Sequence, residues 1–252
     1  MSAQVSKVKF FAPDASVLGS LTDWEIQSGG SPSLSRQRAQ ALKANGDELK
    51  AAQYDAKIEY SLNYKPTRYT GDDGLTLPPV GKILNGAHVD SVSLTYSQTD
   101  FPTLAVTAHR HAAVDGTPAT HGPCRAYSPS VVLPPRAIGV PSSLKDSVGA
   151  TIFTCPTGIG MRSLAYSLSV THLDELDGDG VHLAGQNRDG VETLTVEFTG
   201  EVAISELAID SGWMLPDSSS VAQSNEAATT TSVTLQRHLA YSTTDTPEGA
   251  AN

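Results

Sequence analysis

The chain has 252 residues, of which 39% are apolar and 17% charged, and it carries a net charge of −10. That composition supplies a core for one large β domain or two small ones and lacks the charge excess of an unfolded chain. Its one basic cluster, Arg36, Arg38 and Lys43, is too small to neutralise a run of phosphates, so specific nucleic-acid binding is not expected.

Cys124 and Cys155 form no CxxC pair and no disulfide framework, so free thiols in a reducing cytoplasm are expected. No segment approaches the roughly 20 apolar residues of a membrane-spanning helix. The segment Met1 to Pro13 lacks the apolar stretch of a signal peptide.

In chain order, Ser33 to Gln53 admits two readings. Leu34, Ala41, Leu42 and Leu49 mark a helix face, whereas Asn45-Gly46 would turn a hairpin. We take it as a strand, a turn and then a short helical or irregular stretch. Asp55 to Lys65 alternates Ile58, Tyr60, Leu62 and Tyr64 with polar residues, the period of a half-buried strand. Gly71 to Pro79 is a loop. His88 to Tyr96 and Thr103 to His111 form a hairpin around residues 98–102. Val114 to Ser147 holds Pro118, Pro123, Pro129, Pro134, Pro135 and Pro141, which excludes regular central strands there. A second strand set follows. Leu164, Tyr166, Leu168, Val170 and His172 share a face, a Gly- and Asp-rich loop runs from Asp174 to Gly190, and Leu194, Val196 and Phe198 alternate again. Glu201 to Asp210 and Val233 to Tyr241 also alternate, separated by a polar loop from Pro216 to Ser232. The tail after Tyr241 has nothing to bury.

The predicted fold is therefore mainly β: an antiparallel sandwich or barrel with at most one or two short helices and room for a second β subdomain. The predicted organisation is a first half over 1–113, a Pro-rich connector over 114–147, a second half over 148–241 and a tail over 242–252.

Three constellations bear on chemistry. His109 and His111 lie two apart on a strand, so both imidazoles point the same way and suit one metal, with His121 and Cys124 downstream as further ligands if the Pro-rich loop folds back. The plainer reading is two surface histidines flanking Arg110. Glu175-Leu-Asp177-Gly-Asp179-Gly180 places oxygens at alternate positions like the start of a calcium loop, but Gln186 stands where the closing Glu belongs, so an acidic turn is expected. His121-Gly-Pro-Cys124 sets a thiol near a base without a helix to lower its pKa. There is no G-x-S-x-G elbow, P-loop or dinucleotide fingerprint. The expectation is a protein that is not an enzyme, with no catalytic residue, cofactor or metal. Trp24 and Trp213 suit core or interface packing, with stacking on a sugar as the alternative.

The run Arg38 to Glu48 leading into Ala56 to Leu62, then Gly86 to Tyr96 and Thr99-Asp-Phe-Pro102, resembles tail-tube-type virion proteins of tailed phages in style. The resemblance covers about Arg36 to His111 and carries no site residue. It implies a small β-sandwich or barrel with a flanking helix, assembled into stacked homo-hexameric rings. The implied partners are further copies of the chain, other tail proteins and DNA as non-specific passing cargo, in a virion built in a host cytoplasm. Loops such as Gly71 to Pro79 and Pro216 to Ser232 would order between rings, and the negative charge suits a lumen that DNA slides past. The alternative is a β-sandwich binding or decoration protein for a glycan, receptor or capsid surface, using Trp213 and the Asp174 to Gly190 segment.

Overall fold

Period-two alternation recurs along much of the chain, and the alternating runs at 55–65, 88–96, 103–111, 164–168, 194–198 and 233–238 become strands with their apolar residues on one side. The computed structural model describes residues 17–29, 32–42, 44, 48–71, 73–112, 125–176, 178, 182–200, 202, 207, 209, 212–215 and 230–239. Its strands are β1 (Trp24–Gly29), β2 (Ser33–Leu42), β3 (Glu48–Pro66), β4 (Ile83–Leu84), β5 (Ala87–Ser97), β6 (Thr103–Ala112), β7 (Val131–Val132), β8 (Ser143–Asp146), β9 (Thr151–Thr154), β10 (Gly160–Leu176), β11 (His182–Thr199) and β12 (Thr230–His238). Among the described residues there is no helix.

A nine-stranded antiparallel sheet runs β1-β3-β6-β5-β10-β11-β12, with β2 added to β3 and β4 to β5; β7-β8-β9 form a separate three-stranded sheet. Val92, Leu94 and Tyr96 of β5, Leu104 and Val106 of β6, Leu164, Tyr166 and Leu168 of β10, and Leu194 and Phe198 of β11 make one buried apolar face. Leu133, Leu144, Ile152 and Phe153 of the small sheet and its loops belong to the same core. The opposite face carries Ser91, Ser93, Thr107, Ser167, Thr193 and Thr195, all at least partly exposed.

The seam between chain halves is β5 against β10, paired from Ser97↔Ser163 to Ser91↔Ser169. Beyond Ser169, β10 leaves β5 and pairs with β11 alone, from Thr171↔Arg188 to Leu176↔His182. The vacated edge of β5 is taken by residues 81–84. Gly81 N–H donates to Val89 O (2.7 Å), Val89 N–H donates to Lys82 O (3.0 Å), and Ile83 pairs with His88. Gly81 is needed here: its φ is +85° and a Cβ would stand 2.4 Å from Arg125 O and from Asn187 Nδ2.

At the same end of the sheet β3 runs past β6, whose pairing stops at Ala56↔Ala112, and continues with β2 as a two-stranded arm. Each ribbon starts at a bulge with an aspartate in the left-handed region. Asp55 (φ 49°) is the extra residue of β3 between Tyr54↔Gln37 and Lys57↔Ser35. Asp189 (φ 54°) lies in the extra step of β11 between Arg188↔Thr171 and Val191↔Ser169. Asp tolerates this conformation better than most residues, and the bulge redirects the strand.

The mainly β prediction holds, as do the strands within β3, β5, β6, β10, β11 and β12. Several expectations are corrected. Residues 48–53 are strand rather than helical, because cross-strand pairing with β2 supplies their backbone partners; residues 45–47, the turn itself, lie outside the described residues. The loop placed at Asp174 to Gly190 is mostly strand, and only 177–181 separate β10 from β11. The Pro-rich stretch does contain a central strand: β8 fits between Pro141 and Ser147, where no proline interrupts its bonds to β7 and β9. Gly71 to Pro79 is anchored by buried Leu75 and Leu77, with Leu75 N–H donating to Leu133 O (2.7 Å). Thr230, Thr231 and Ser232 belong to β12, while 216–229 and the tail after Tyr241 lie outside the described residues. Of Glu201 to Asp210 only Val202, Leu207 and Ile209 are described, outside any strand.

Two polar knots fasten loops to the sheet. Glu192 is fully buried on β11, opposite Leu168 on β10, and its carboxylate accepts from Tyr166 Oη (2.6 Å), Ser130 N–H (2.6 Å) and Ser130 Oγ. Burial and the adjacent Glu192 push the Tyr166 phenol well above its ordinary pKa. Asp23 accepts from Arg68 Nε (2.8 Å) and Thr76 N–H (3.0 Å), tying the start of β1 to the segment after β3. The Arg68 bond outweighs burial and holds Asp23 at about 2.

Tyr166→Phe strands one lone pair of a buried carboxylate, and urea unfolding should show a loss of about 1–3 kcal/mol. Asp23 has a depressed folded pKa, so its contribution is complete above the unfolded value of 3.8 and is lost as pH falls towards 2. The stability gap between wild type and Asp23→Asn should therefore be constant above pH 5 and close between pH 4 and 2, read from Tm against pH.

Candidate metal centre

Where the two ribbons diverge, side chains from β5, β6, β10 and β11 converge. On β6, period two puts His109 and His111 on the side opposite Leu104, Val106 and Ala108. On β5 the pairs Val89↔Ala108 and Ser91↔Thr107 leave Asp90 as an extra residue, and the resulting bulge brings His88 directly opposite His109. On β10, His172 and Asp174 lie just beyond the departure from β5, and His172 pairs with Asn187 of β11.

The four imidazoles form a cluster of tilted and edge-on rings. Ring centroids lie 4.3 Å apart for His88 and His172, 4.9 Å for His88 and His109, 5.1 Å for His109 and His111, and 5.3 Å for His109 and His172. His88, His109 and His111 are buried. The cluster borders a cleft of about 390 Å³ lined in part by Ser33, Lys57, Glu59, Asp90, His109 and His172.

Asp90 Oδ1 meets His88 Nδ1 at 2.8 Å and His109 Nδ1 at 2.7 Å. Burial raises its pKa, but these imidazoles outweigh burial and leave it at about 2. Asp174 Oδ1 lies 2.9 Å from His172 Nε2 and 3.2 Å from His111 Nε2, while its Oδ2 accepts from Lys57 Nζ. Asn187 is fully buried; its Nδ2 donates to the carbonyls of Gly81 and Arg125. That fixes the amide, so Oδ1 faces His172 Nδ1 (2.7 Å) and His88 Nε2 (3.0 Å).

His172 thus has an acceptor at each ring nitrogen. Burial lowers its pKa, yet the bonds to Asp174 and Asn187 prevail and hold it above the ordinary imidazole value. His88 also faces two acceptors, but there burial prevails and, with the electrostatic effect of neighbouring His172, pushes it below that value.

His109 and His111, read from the sequence as surface histidines, are buried because the β10 segment and Lys57 close over them. His121 and Cys124 lie outside the described residues, as do Asp177, Asp179 and Gly180; Glu175 is exposed on β10. Trp24 and Trp213 are both buried, which removes Trp213 as a sugar-stacking surface. Cys155 is a free, partly buried thiol that donates to Ile159 O (3.2 Å), and burial pushes its pKa up. Alternation in the sequence sets His172 on a face with Leu164, Tyr166 and Leu168; the register shift between Ser169 and Thr171 brings it instead beside His88 and His109. It assigns no role to His88, Asp90, Asp174 or Asn187. A signal was present: His88-x-Asp90, His109-x-His111 and His172-x-Asp174 are the same two-residue spacing in three strands.

No protein-family model matches the chain, and no curated protein matches it either.

His172 has a raised folded pKa, so its contribution is present below the unfolded value near 6.5 and lost as pH rises through the folded pKa; His88 has the opposite sign. In EDTA-containing buffer, Tm of His172→Gln relative to wild type should improve as pH is raised from 6 to 8.5. An unchanged difference across that range would show that His172 does not carry the charge.

Proposed function

We propose that the chain is a self-assembling structural protein, best placed as a tail-tube-type virion subunit that forms stacked rings around a DNA conduit. The observation that carries the reading is the β2–β3 arm. Residues 37–41 are exposed on both sides of the strand, and among the described residues β2 has no ladder partner except β3. An isolated two-stranded ribbon is marginal in water, so a long one is best explained by a neighbour that completes it. Two further features support it. The sheet leaves strand edges at which another copy can add. Its uncovered face is rich in Ser and Thr, with Glu59 and Glu197 beside Lys57 and Lys65, and so offers no basic stripe for DNA phosphates.

A second reading, a β-sandwich binding or decoration module, draws on one patch. Tyr69 and Phe101 are exposed with ring centroids 5.3 Å apart, and Tyr69 shares a shallow cleft with the exposed Ile138. An exposed aromatic pair beside an aliphatic side chain suits a partner surface.

Negative-stain electron microscopy and light scattering of the purified chain at high concentration should show rings or tubes. Replacing residues 36–53 by a short Gly-rich turn should leave a folded monomer that no longer assembles. A wild-type chain that stays monomeric at every concentration, alone and with other tail proteins, would overturn the assembly reading. Loss of partner binding in Phe101→Ala by such a monomer would favour the second.

A further inference from the structure

We propose that His109, His111, His172 and Asp174 bind one first-row divalent transition metal of the zinc class, and that the ion clamps β6 to the β10–β11 ribbon. Ligand atoms of these four residues all lie within 4.8 Å of one another. Three imidazoles and one carboxylate make a donor set suited to tetrahedral zinc, and three nitrogens disfavour calcium and magnesium, which take oxygen.

The outer hydrogen bonds point the same way. A histidine that ligates a metal has its other ring nitrogen held by a carboxylate or carbonyl, which fixes the ring and the tautomer. His109 Nδ1 is held by Asp90 and His172 Nδ1 by the Asn187 amide oxygen, itself oriented by two backbone carbonyls. That leaves Nε2 of each ring as the ligating atom. His111 Nε2 and His172 Nε2 already stand 3.2 and 2.9 Å from Asp174 Oδ1, close to the spacing of neighbouring ligands around a tetrahedral ion. Asp90, His88 and Asn187 are outer positioning groups.

The location gives the ion its role. β5, which separates β6 from β10 over most of the sheet, begins at Ala87, and beyond it no backbone ladder joins β6 to β10 among the described residues. A metal there would cross-link strands far apart in sequence, at the root of both ribbons, and add its binding free energy to the fold.

Untagged protein should contain, or after EDTA treatment and dialysis take up, one Zn2+ per chain by elemental analysis. Co2+ should give the visible absorption of a tetrahedral site, displaced by Zn2+ and unaffected by Ca2+ or Mg2+. Zn2+ at a hundredfold excess over its Kd should raise Tm by roughly 5–10 °C. His111→Ala and Asp174→Asn should abolish the Co2+ spectrum, and Asn187→Ala should weaken Zn2+ by roughly 10–100-fold. His238→Ala, an exposed histidine on β12, should leave both unchanged. Absence of stoichiometric Zn2+ uptake and of a Co2+ spectrum in folded wild type would overturn the proposal, as would equal uptake by a folded His109→Ala/His111→Ala variant.

Discussion

The pairing of β5 with β10 over Ser91–Ser97 and Ser163–Ser169 decides most of the rest. It joins strands about 70 residues apart in sequence into one sheet and aligns Val92, Leu94 and Tyr96 with Leu168, Tyr166 and Leu164 on a single apolar face. Where the pairing ends at Ser169, backbone groups on both strands need other partners. β10 continues with β11 as its ladder partner, and β5 takes residues 81–84. The fork is thus a consequence of a ladder that stops, and the histidine cluster occupies the space it opens.

That space is costly to fill. Imidazoles, aspartates and an asparagine are drawn from water into a site where each unpaired polar atom would cost about 1–3 kcal/mol. The arrangement offsets this with shared acceptors: Asp90 serves His88 and His109, Asp174 serves Lys57 and His172, and Asn187 bridges His88 and His172. Displacing one member of such a network leaves a buried polar or charged group unpaired, which is costly in a site of low dielectric. The opposing shifts of His88 and His172 follow from the same crowding, since two neighbouring rings 4.3 Å apart resist both being charged.

The small sheet plays a plainer part. β7, β8 and β9 are short, yet they cover the centre of the large sheet with Leu133, Leu144, Ile152 and Phe153, and Glu192 pins their loop through Ser130. Tyr96 Oη donates to Pro134 O (2.8 Å), so even the proline-rich backbone is used as an acceptor. Proline stops a ladder but keeps its carbonyl, which is why that segment serves as cover rather than as a simple connector.

Alternation alone determined the all-β class, the β5–β6 hairpin and the inward faces of β3, β10 and β11, because a period of two is set locally by backbone geometry. It also placed His109 and His111 on one side of β6. Burial of that side was beyond its reach: alternation gives the side to which a residue points and not what lies over it. The convergence of His88, Asp90, His172, Asp174 and Asn187 depends on where β10 leaves β5, and on the extra residues at Asp90 and in β11 beside Asp189. Those bulges change register by one residue, and register is fixed by pairing between distant strands. Composition and spacing therefore determined the long alternating strands, while cross-strand pairing made strands of residues 48–53, 182–190 and β8, and only the tertiary structure decided that three separate two-residue motifs share one site.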